Sequence, residues 1–292
     1  MIRFHCISDL VALADARRQP ISAIVQDYEV QRSQQSAQEI RNNMATSLRV
    51  MREAIATGVR NKEKSASGLT GGDAGLLIGY LDTDRSLGGS SMGRAAAYAL
   101  AVSEINACMG RIVACPTAGS CGILPGALMS VAESRNAGND EIVQVLFTAA
   151  GIGMVIAENA SISGAQGGCQ AECGSAAAMA AGALVELAGG NPAQVSEALA
   201  MALKSVLGLV CDPVAGLVEV PCVKRNAFGA VQAVLAADMA LAGVKSMIPA
   251  DEVIEAMYKI GLALPASLKE TSQAGLAKTP TARKVEERLY GR

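Results

Sequence analysis

From Gly68 onward, helix-forming runs alternate with short turns of small residues. Strand patterns are nearly absent, and only Leu217-Val-Glu-Val220 alternates briefly between apolar and polar residues. Aromatic residues make up 3% of the chain, so an apolar core must use small and aliphatic side chains, which suits closely packed helices. We therefore predict an all-α fold. The helices predicted in this region span residues 73–81, 92–109, 122–135, 139–158, 171–188, 192–207, 224–242 and 251–262.

The N-terminal part of the chain has a different pattern. Residues 7–19 and 33–60 carry most of the helical amphipathicity, with apolar residues spaced three and four apart. The simplest interpretation of 33–60 is a helix docked through one apolar stripe, and the alternative is a partner-binding arm. A polar link follows it. We predict an N-terminal helical extension over residues 1–64 and an α-helical catalytic domain over residues 65–292.

Charge and hydropathy narrow the possible classes of function. A net charge of −2 without a long basic run gives no basis for nucleic-acid binding, so a small metabolite is the expected partner. Residues 1–10 lack the apolar core of a signal peptide. The longest uncharged apolar stretch, 142–157, is shorter than a membrane-spanning helix needs, and we predict no membrane segment. Eight cysteines in such a chain indicate free or metal-bound thiols in the cytoplasm.

Three cysteines lie in the segments richest in Gly and Pro, and these are Cys169, Cys211 and Cys222. Each is adjacent to a predicted helix, an arrangement that fixes a thiolate ligand rigidly. Thiolates select zinc, Cu(I) or iron–sulfur clusters. Three protein ligands, rather than four, leave one metal position free for substrate.

A fourth cysteine leaves the choice of ligands open. Cys169 stands at a predicted helix start, where exposed N–H groups and the helix dipole favour the thiolate. Cys173 follows four residues later, on the same face if the helix has already begun. From spacing alone both are candidate ligands. The chain has no Cys-x-x-Cys pair, so spacing by itself does not choose between them. For each of the eight cysteines the alternative is burial as a small apolar residue.

Two loops of small residues precede predicted helices. The loop from Cys115 to Pro125 contains Thr117 and Ser120, which together with backbone N–H groups are placed to bind a carboxylate. A tight turn between helices is the other interpretation. The loop from Ser86 to Arg94 has the same two interpretations. It lacks the Gly-Lys-Ser/Thr ending of a phosphate-binding loop, so nucleotide binding is not indicated.

No residue stands out as a general base. The one histidine, His5, lies far in sequence from every loop described above. The segments Lys224-Arg-Asn226, directly after Cys222, and Lys269-Glu-Thr-Ser272 are better placed. A lysine in either segment is suited to bind a substrate carboxylate or, beside a metal that lowers its pKa, to accept a proton.

A series of short motifs runs along the chain in order. They are Gly68-Leu-Thr-Gly-Gly-Asp73, Pro116-Thr-Ala-Gly-Ser120, Asn159-Ala-Ser-Ile-Ser-Gly164, Gly168-Cys-Gln-Ala-Glu172, Cys211-Asp-Pro-Val-Ala-Gly216, Val220-Pro-Cys222, Lys224-Arg-Asn226, Lys269-Glu-Thr-Ser272 and Gly275-Leu-Ala277. With these motifs the chain resembles, over essentially its full length, the α subunit of the iron–sulfur-dependent L-serine dehydratases, also called L-serine deaminases or L-serine ammonia-lyases.

The resemblance implies a cofactor and its ligands. In that family three cysteines of the matching motifs hold a [4Fe–4S] cluster, and here they correspond to Cys169, Cys211 and Cys222. The resemblance thus favours these three over Cys173, and it implies that Cys115, Cys121 and Cys173 are packing residues. Single-chain members append a C-terminal cysteine as a fourth ligand, whereas this chain ends Arg288-Leu-Tyr-Gly-Arg292. The fourth iron is therefore expected to be open to substrate.

The resemblance also implies a partner and a reaction. Single-chain members carry an additional domain thought to supply a catalytic histidine, and in the two-subunit form that domain is a separate β subunit. We expect αβ units in a higher oligomer, with the general base on the partner. The reaction is dehydration and deamination of L-serine to pyruvate and ammonia, in which the open iron acts as a Lewis acid on the serine hydroxyl. The expected substrate contacts are Thr117, Ser120, Asn159, Ser161, Ser163 and Lys224.

Two rival functions compete with this interpretation. A pyridoxal-phosphate dehydratase catalyses the same overall reaction, but it needs a Schiff-base lysine and a phosphate cup on an α/β fold. A thiolate-bound zinc or cluster-carrying interaction protein would bind metal without lyase activity. The helical pattern argues against the first rival, and serine-dependent release of pyruvate distinguishes the second.

Overall fold

The computed structural model describes residues 2–83 and 85–291 as a bundle of helices. No β-strand occurs within these residues, and one isolated parallel bridge joins Cys211 to Lys269. The predicted all-α fold is confirmed. The helices are α1 (Ile7–Arg17), α2 (Ile21–Ser33), α3 (Ala37–Arg60), α4 (Asp73–Leu81), α5 (Gly89–Ala107), α6 (Ile123–Arg135), α7 (Asn139–Asn159), α8 (Gly164–Gly167), α9 (Ser175–Leu187), α10 (Pro192–Lys204), α11 (Cys222–Leu241), α12 (Ala250–Ala263) and α13 (Pro280–Tyr290).

The N-terminal helix α3 is docked onto the rest of the chain. Its start is fixed by a capping box, in which the Ser36 hydroxyl accepts the Glu39 N–H at 3.2 Å and the Glu39 carboxylate accepts the Ser36 N–H at 2.8 Å. Its apolar stripe is buried against α5 and α7. Gly58 allows the closest approach, because a Cβ there would lie 2.3 Å from the Ala101 carbonyl oxygen of α5. The boundary at residues 64 and 65 stays a prediction.

At the centre of the bundle lies α9, with α6, α7, α10 and α11 packed around it. Every residue from Ser175 to Val185 is buried, and most are Ala or Gly. A helix that is apolar all round must be enclosed by others, and its small side chains let those helices approach closely. A Cβ at Gly182, for example, would lie 2.3 Å from the Ile152 side chain of α7. The start of α9 is therefore held rigidly.

One helix, α7, is long and apolar enough to cross a membrane by length and composition alone. It contains the stretch 142–157 that the sequence singles out. In its most apolar window 61% of the residues are buried inside the bundle. Buried core helices have this same composition.

The short alternating segment 217–220 is a turn and not a strand. It follows the 3-10 turn Val214–Gly216, and the Val214 N–H donates to the Val220 carbonyl at 2.8 Å. The loop thereby closes on itself and delivers Cys222 to the first position of α11.

Candidate functional site

The three predicted ligands are buried, and each is delivered by a different irregular segment. Cys169 precedes the π-helical turn Gln170–Gly174 that leads into α9, and such turns are frequent at functional sites. Gly168 has φ 77°, and a Cβ there would lie 2.9 Å from the Leu209 carbonyl, so only glycine fits. Cys211 forms the bridge to Lys269, and Cys222 begins α11.

The thiols are close enough to change one another's protonation. The pKa of Cys169 lies well below its usual range, first because Cys173 and Cys211 donate to its sulfur and further because the Arg225 guanidinium is near. The Cys169 and Cys173 sulfurs are 3.4 Å apart. The same contacts raise the pKa of Cys211 and of Cys173, whereas burial raises the pKa of Cys222 to about 12. Cys169 is thus the most acidic thiol of the group, and a metal would displace the protons of the others.

A buried ion pair fixes the segment that carries Cys211. Arg225 of α11 donates to the Asp212 carboxylate at 3.0 Å and to the Val210 carbonyl at 2.8 Å. The other oxygen of Asp212 accepts the Leu276 N–H at 2.7 Å, so it also holds the C-terminal loop. Such a pair is costly to break, because removing one partner strands a buried charge.

Two buried amides fasten the other segments. Gln170 donates to the carbonyls of Gly167 and Met257, at 2.9 and 3.1 Å, and accepts the Gly208 N–H at 2.8 Å. Asn226 makes a comparable set of bonds between α11 and the loop that precedes α6. It accepts the Gly122 N–H at 2.8 Å and donates to the carbonyls of Gly119 and Cys222, at 2.7 and 2.9 Å.

Of the predicted substrate contacts, Thr117 and Ser120 lie together on the loop that Asn226 holds. Their hydroxyl oxygens are 3.1 Å apart, and Thr117 donates to the Glu172 carboxylate at 2.7 Å. Since Glu172 belongs to the turn after Cys169, the structure brings this loop beside the thiols. The loop predicted to bind a carboxylate therefore lies next to the predicted cysteine ligands.

The other predicted contacts have partners of their own. Ser161 donates to the Gln166 side chain at 2.8 Å and accepts the Ser163 N–H at 3.0 Å. Asn159 ends α7 and donates to the His5 carbonyl at 2.6 Å. Lys224 pairs with Asp73 at the start of α4. The roles of all six residues as substrate contacts stay predictions.

The sequence did not indicate a role for Glu172, although it lies in the Gly-Cys-Gln-Ala-Glu motif. Burial raises its pKa to about 7, against a smaller opposing effect of the Thr117 hydroxyl bond. The negative charges of Cys169 and Glu270 raise it further. The only signal in the sequence was an acid three residues after a predicted ligand.

A cavity of about 410 Å³ lies between α8 and α12, beside the π-helical turn. Its lining includes Ser161, Gln166, Ala171, Tyr258 and Lys269. The cavity therefore connects the segment around Ser161 with the Lys269 loop that pairs with Cys211. A small metabolite has room to approach the turn from this side.

The thiols are soft donors of the kind that hold iron–sulfur clusters. Among residues 2–83 and 85–291, no three His, Cys, Asp or Glu side chains are grouped so as to hold one metal ion. Cys169, Cys211 and Cys222 supply soft sulfur donors, and Arg225 offsets their negative charge. The donor set therefore fits a cluster with three protein ligands.

Buried thiols delivered by three irregular segments, beside a carboxyl group and a small cavity, define the candidate active site of an enzyme of all-α fold. The family described as the serine dehydratase alpha chain matches residues 16–277, and the chain belongs to that family. The family predicted from the motifs is thus confirmed. Enzymes of this kind are lyases.

Relatives of two lengths match the chain. A probable L-serine dehydratase alpha chain of Bacillus subtilis is 50% identical over 99% of this chain and 96% of its own length. The L-serine dehydratase alpha chain of Peptoniphilus asaccharolyticus is 40% identical over 95% of each. The L-serine dehydratase of Streptomyces coelicolor is 40% identical over 94% of this chain but over only 60% of its own length. This chain therefore has the length of the alpha chains.

Proposed function

We propose that this chain is the cluster-bearing α subunit of a [4Fe–4S]-dependent L-serine dehydratase that forms pyruvate and ammonia. The observation that carries the proposal is the convergence of Cys169, Cys211 and Cys222, three buried thiols from three separate turns, at one place. Family membership supports the reaction. When bound, the cluster supplies a Lewis-acidic iron that stabilises the departing hydroxyl group of serine.

The residues of the chain bind and orient the substrate. The loop of Thr117 and Ser120 lies before α6, and its backbone N–H groups and the Ser120 hydroxyl are suited to the substrate carboxylate, because the Thr117 hydroxyl already donates to Glu172. Burial of the site excludes water and strengthens each charge interaction there. Loss of the α-proton and the hydroxyl leaves aminoacrylate, which tautomerises and hydrolyses to pyruvate and ammonia. The base that takes the α-proton is assigned to the partner subunit.

A β subunit is the second part of the proposal. Two relatives of this length are named alpha chains, whereas the Streptomyces dehydratase contains a further segment beyond the match. The surface beside the site supports a partner: Leu76 of α4 and Phe228 of α11 are 75% and 77% exposed. Each lies one turn beyond Asp73 or Lys224, whose ion pair joins the two helix starts. We propose αβ units that associate into a higher oligomer.

A reducing compartment suits this chemistry. All eight cysteines are free of disulfides, and disulfides are rare in cytosolic proteins. We place the enzyme in the cytoplasm, without a membrane or nucleic-acid partner.

The test is anaerobic co-expression with the β subunit, followed by iron and sulfide analysis and an assay of pyruvate release. We expect about four irons and about four sulfides per α chain, and serine-dependent pyruvate. Cys169→Ser should abolish the visible absorbance of the cluster, and Cys173→Ser should leave it intact. Fewer than about three irons after reconstitution, or an essential Cys173 with a dispensable Cys169, contradicts the ligand assignment. A full cluster without pyruvate release favours an interaction protein instead.

A further inference from the structure

Glu172 is held at the site between three chain segments. Its Oε1 accepts the Thr117 hydroxyl at 2.7 Å, and a Cβ at Gly119 would lie 3.0 Å from that same oxygen. On the other side, a Cβ at Gly164 would lie 2.7 Å from Oε2 and 3.1 Å from the Cys211 sulfur. The carboxyl group is therefore closely packed between Gly119 and Gly164, and Oε2 and the Cys211 sulfur both lie near Gly164.

No cation pairs with this carboxyl group. Among the described residues Glu172 forms no salt bridge, and its Oε2 accepts no hydrogen bond. Oε2 is not one of the fully buried side-chain atoms that lack a partner, so it stays accessible. The nearby guanidinium of Arg225 is already engaged by Asp212 and the Val210 carbonyl. Glu270 adds a second negative charge in range. A half-buried carboxyl group without a cation is costly unless a ligand supplies one.

The α-ammonium group of serine is a cation that could pair with the Glu172 carboxylate. The ammonium and the hydroxyl of serine are on adjacent carbons, so a group that binds the ammonium must be close to the atoms that act on the hydroxyl. Glu172 lies beside one of the thiols that would hold the cluster, because an added Cβ at Gly164 would touch both its free oxygen and the Cys211 sulfur. The Thr117 and Ser120 loop on its other side is the proposed position of the substrate carboxylate.

We propose that Glu172 binds the α-ammonium group of the substrate and so makes the site selective for α-amino acids over α-hydroxy acids of the same shape. This inference rests on the proposed function. The ammonium would donate to Oε2, while Thr117 continues to donate to Oε1.

The variant Glu172→Gln tests whether the charge of the Glu172 side chain, and not its shape, binds the ammonium group. Glutamine keeps an oxygen for the Thr117 hydroxyl, loses the negative charge and replaces the other oxygen with an NH2 group, which cannot accept a hydrogen bond from an ammonium. Glu186→Gln is the matched control, since Glu186 is also a half-buried carboxyl held by a threonine hydroxyl, that of Thr148 at 2.8 Å, but it lies at the other end of α9. The probes are L-alanine and L-lactate, which differ only in ammonium against hydroxyl and do not react. Calorimetry on the anaerobic αβ enzyme measures their Kd, and steady-state kinetics measure serine turnover.

We expect Glu172→Gln to raise the Kd of L-alanine and the KM of serine about 10–100-fold, the loss of one charge-assisted hydrogen bond. The Kd of L-lactate and the iron content should stay near the wild-type values, and Glu186→Gln should change none of these. An unchanged Kd for L-alanine overturns the proposal. If the variant weakens binding of L-alanine and L-lactate equally, Glu172 contributes to the shape of the site and the proposal is overturned. A fall in kcat alone also overturns it and assigns Glu172 to proton transfer.

A second variant covers the case in which Glu172→Gln does not fold or load. Glu172→Asp keeps the charge, so it should retain the preference for L-alanine over L-lactate, and loss of that preference contradicts the proposal. Failure of the proposed function has a different signature. In that case the wild-type αβ enzyme releases no pyruvate from serine, whereas failure of this inference alone leaves turnover intact and KM unchanged in Glu172→Gln.

Discussion

Asn226 offers the sharpest test of how the site is held together. It is 1% exposed and links α11 to the loop of Thr117 through one accepted and two donated hydrogen bonds. Asn226→Asp keeps the size of the side chain and the oxygen that accepts the Gly122 N–H. It replaces the donor to the Gly119 carbonyl with a second acceptor, so two oxygens would face each other at the former 2.7 Å contact.

The expected cost follows from these bonds. A neutral hydrogen bond contributes about 0.5–1.5 kcal/mol net, and a buried polar group left unpaired costs about 1–3 kcal/mol. Loss of the donated bonds should therefore lower the free energy of unfolding by about 2–5 kcal/mol. Burial raises the pKa of the introduced carboxyl group, which when protonated can donate one bond again. The loss should thus be smaller at low pH, because the folded state then binds the proton more tightly than the unfolded state.

Urea unfolding of the metal-free, reduced chain, followed by circular dichroism at about pH 8 and about pH 5, measures both effects. The control is Gln232→Glu on the same helix. Gln232 is half-buried and donates one bond, at 2.5 Å, to the Ala202 carbonyl, so its loss should cost about 1 kcal/mol. If Asn226→Asp is no more destabilising than this control, the Asn226 amide does not fasten the loop to α11.

Two further predictions concern the core. Burial raises the pKa of Glu186 above its ordinary value of 4.5, so the folded state loses stability as pH rises through the raised pKa. Glu186→Gln keeps the bond from Thr148 and should therefore raise Tm at neutral pH but not below about pH 4.5, as thermal scans across pH would show. Gly58→Ala places a Cβ 2.3 Å from the Ala101 carbonyl oxygen and should cost about 1–3 kcal/mol or more. The control is Gly79→Ala on α4, where an added Cβ meets no other atom, and it should raise the free energy of unfolding by about 0.5–1 kcal/mol. If the two variants change the free energy of unfolding in urea equally, α3 is not closely packed on α5.

Most of the helices could be predicted because their apolar residues recur at helical spacing. The prediction of 73–81 coincides with α4, and several others differ at their ends by only a few residues. Three helices were missed, and the shortest of them, α8, is a single turn of four residues. In α2 the buried residues lie only in the first half, so the periodicity fades along its length. In α13 only Ala282 is buried, although the Thr279 hydroxyl accepts the Ala282 N–H at 3.3 Å, and a Thr-Pro start was visible in the sequence.

The residues that hold the site could be predicted only in part. Cys169, Cys211 and Cys222 stand out because Gly and Pro surround them, and their turns are visible in the sequence. The role of Glu172 depends on Thr117, more than fifty residues away in the chain, and no local pattern encodes that contact. The helix predicted from residue 171 begins with a π-helical turn, in which each hydrogen bond spans five residues instead of four. The spacing of apolar residues in the sequence does not reveal this change.

The buried polar side chains explain how loops of small residues can place chemistry accurately. Gly- and Pro-rich segments have little apolar surface with which to anchor themselves, so each depends on hydrogen bonds from a neighbouring element. Gln170 anchors the turn after Cys169, the Arg225 and Asp212 pair anchors the Cys211 segment, and Asn226 anchors the loop of Thr117. Two of these four residues lie on the first turn of α11, directly after Cys222. The helix that supplies a thiol therefore also positions the loops that face it, and in the proposed enzyme this one rigid element would couple cofactor binding to substrate binding.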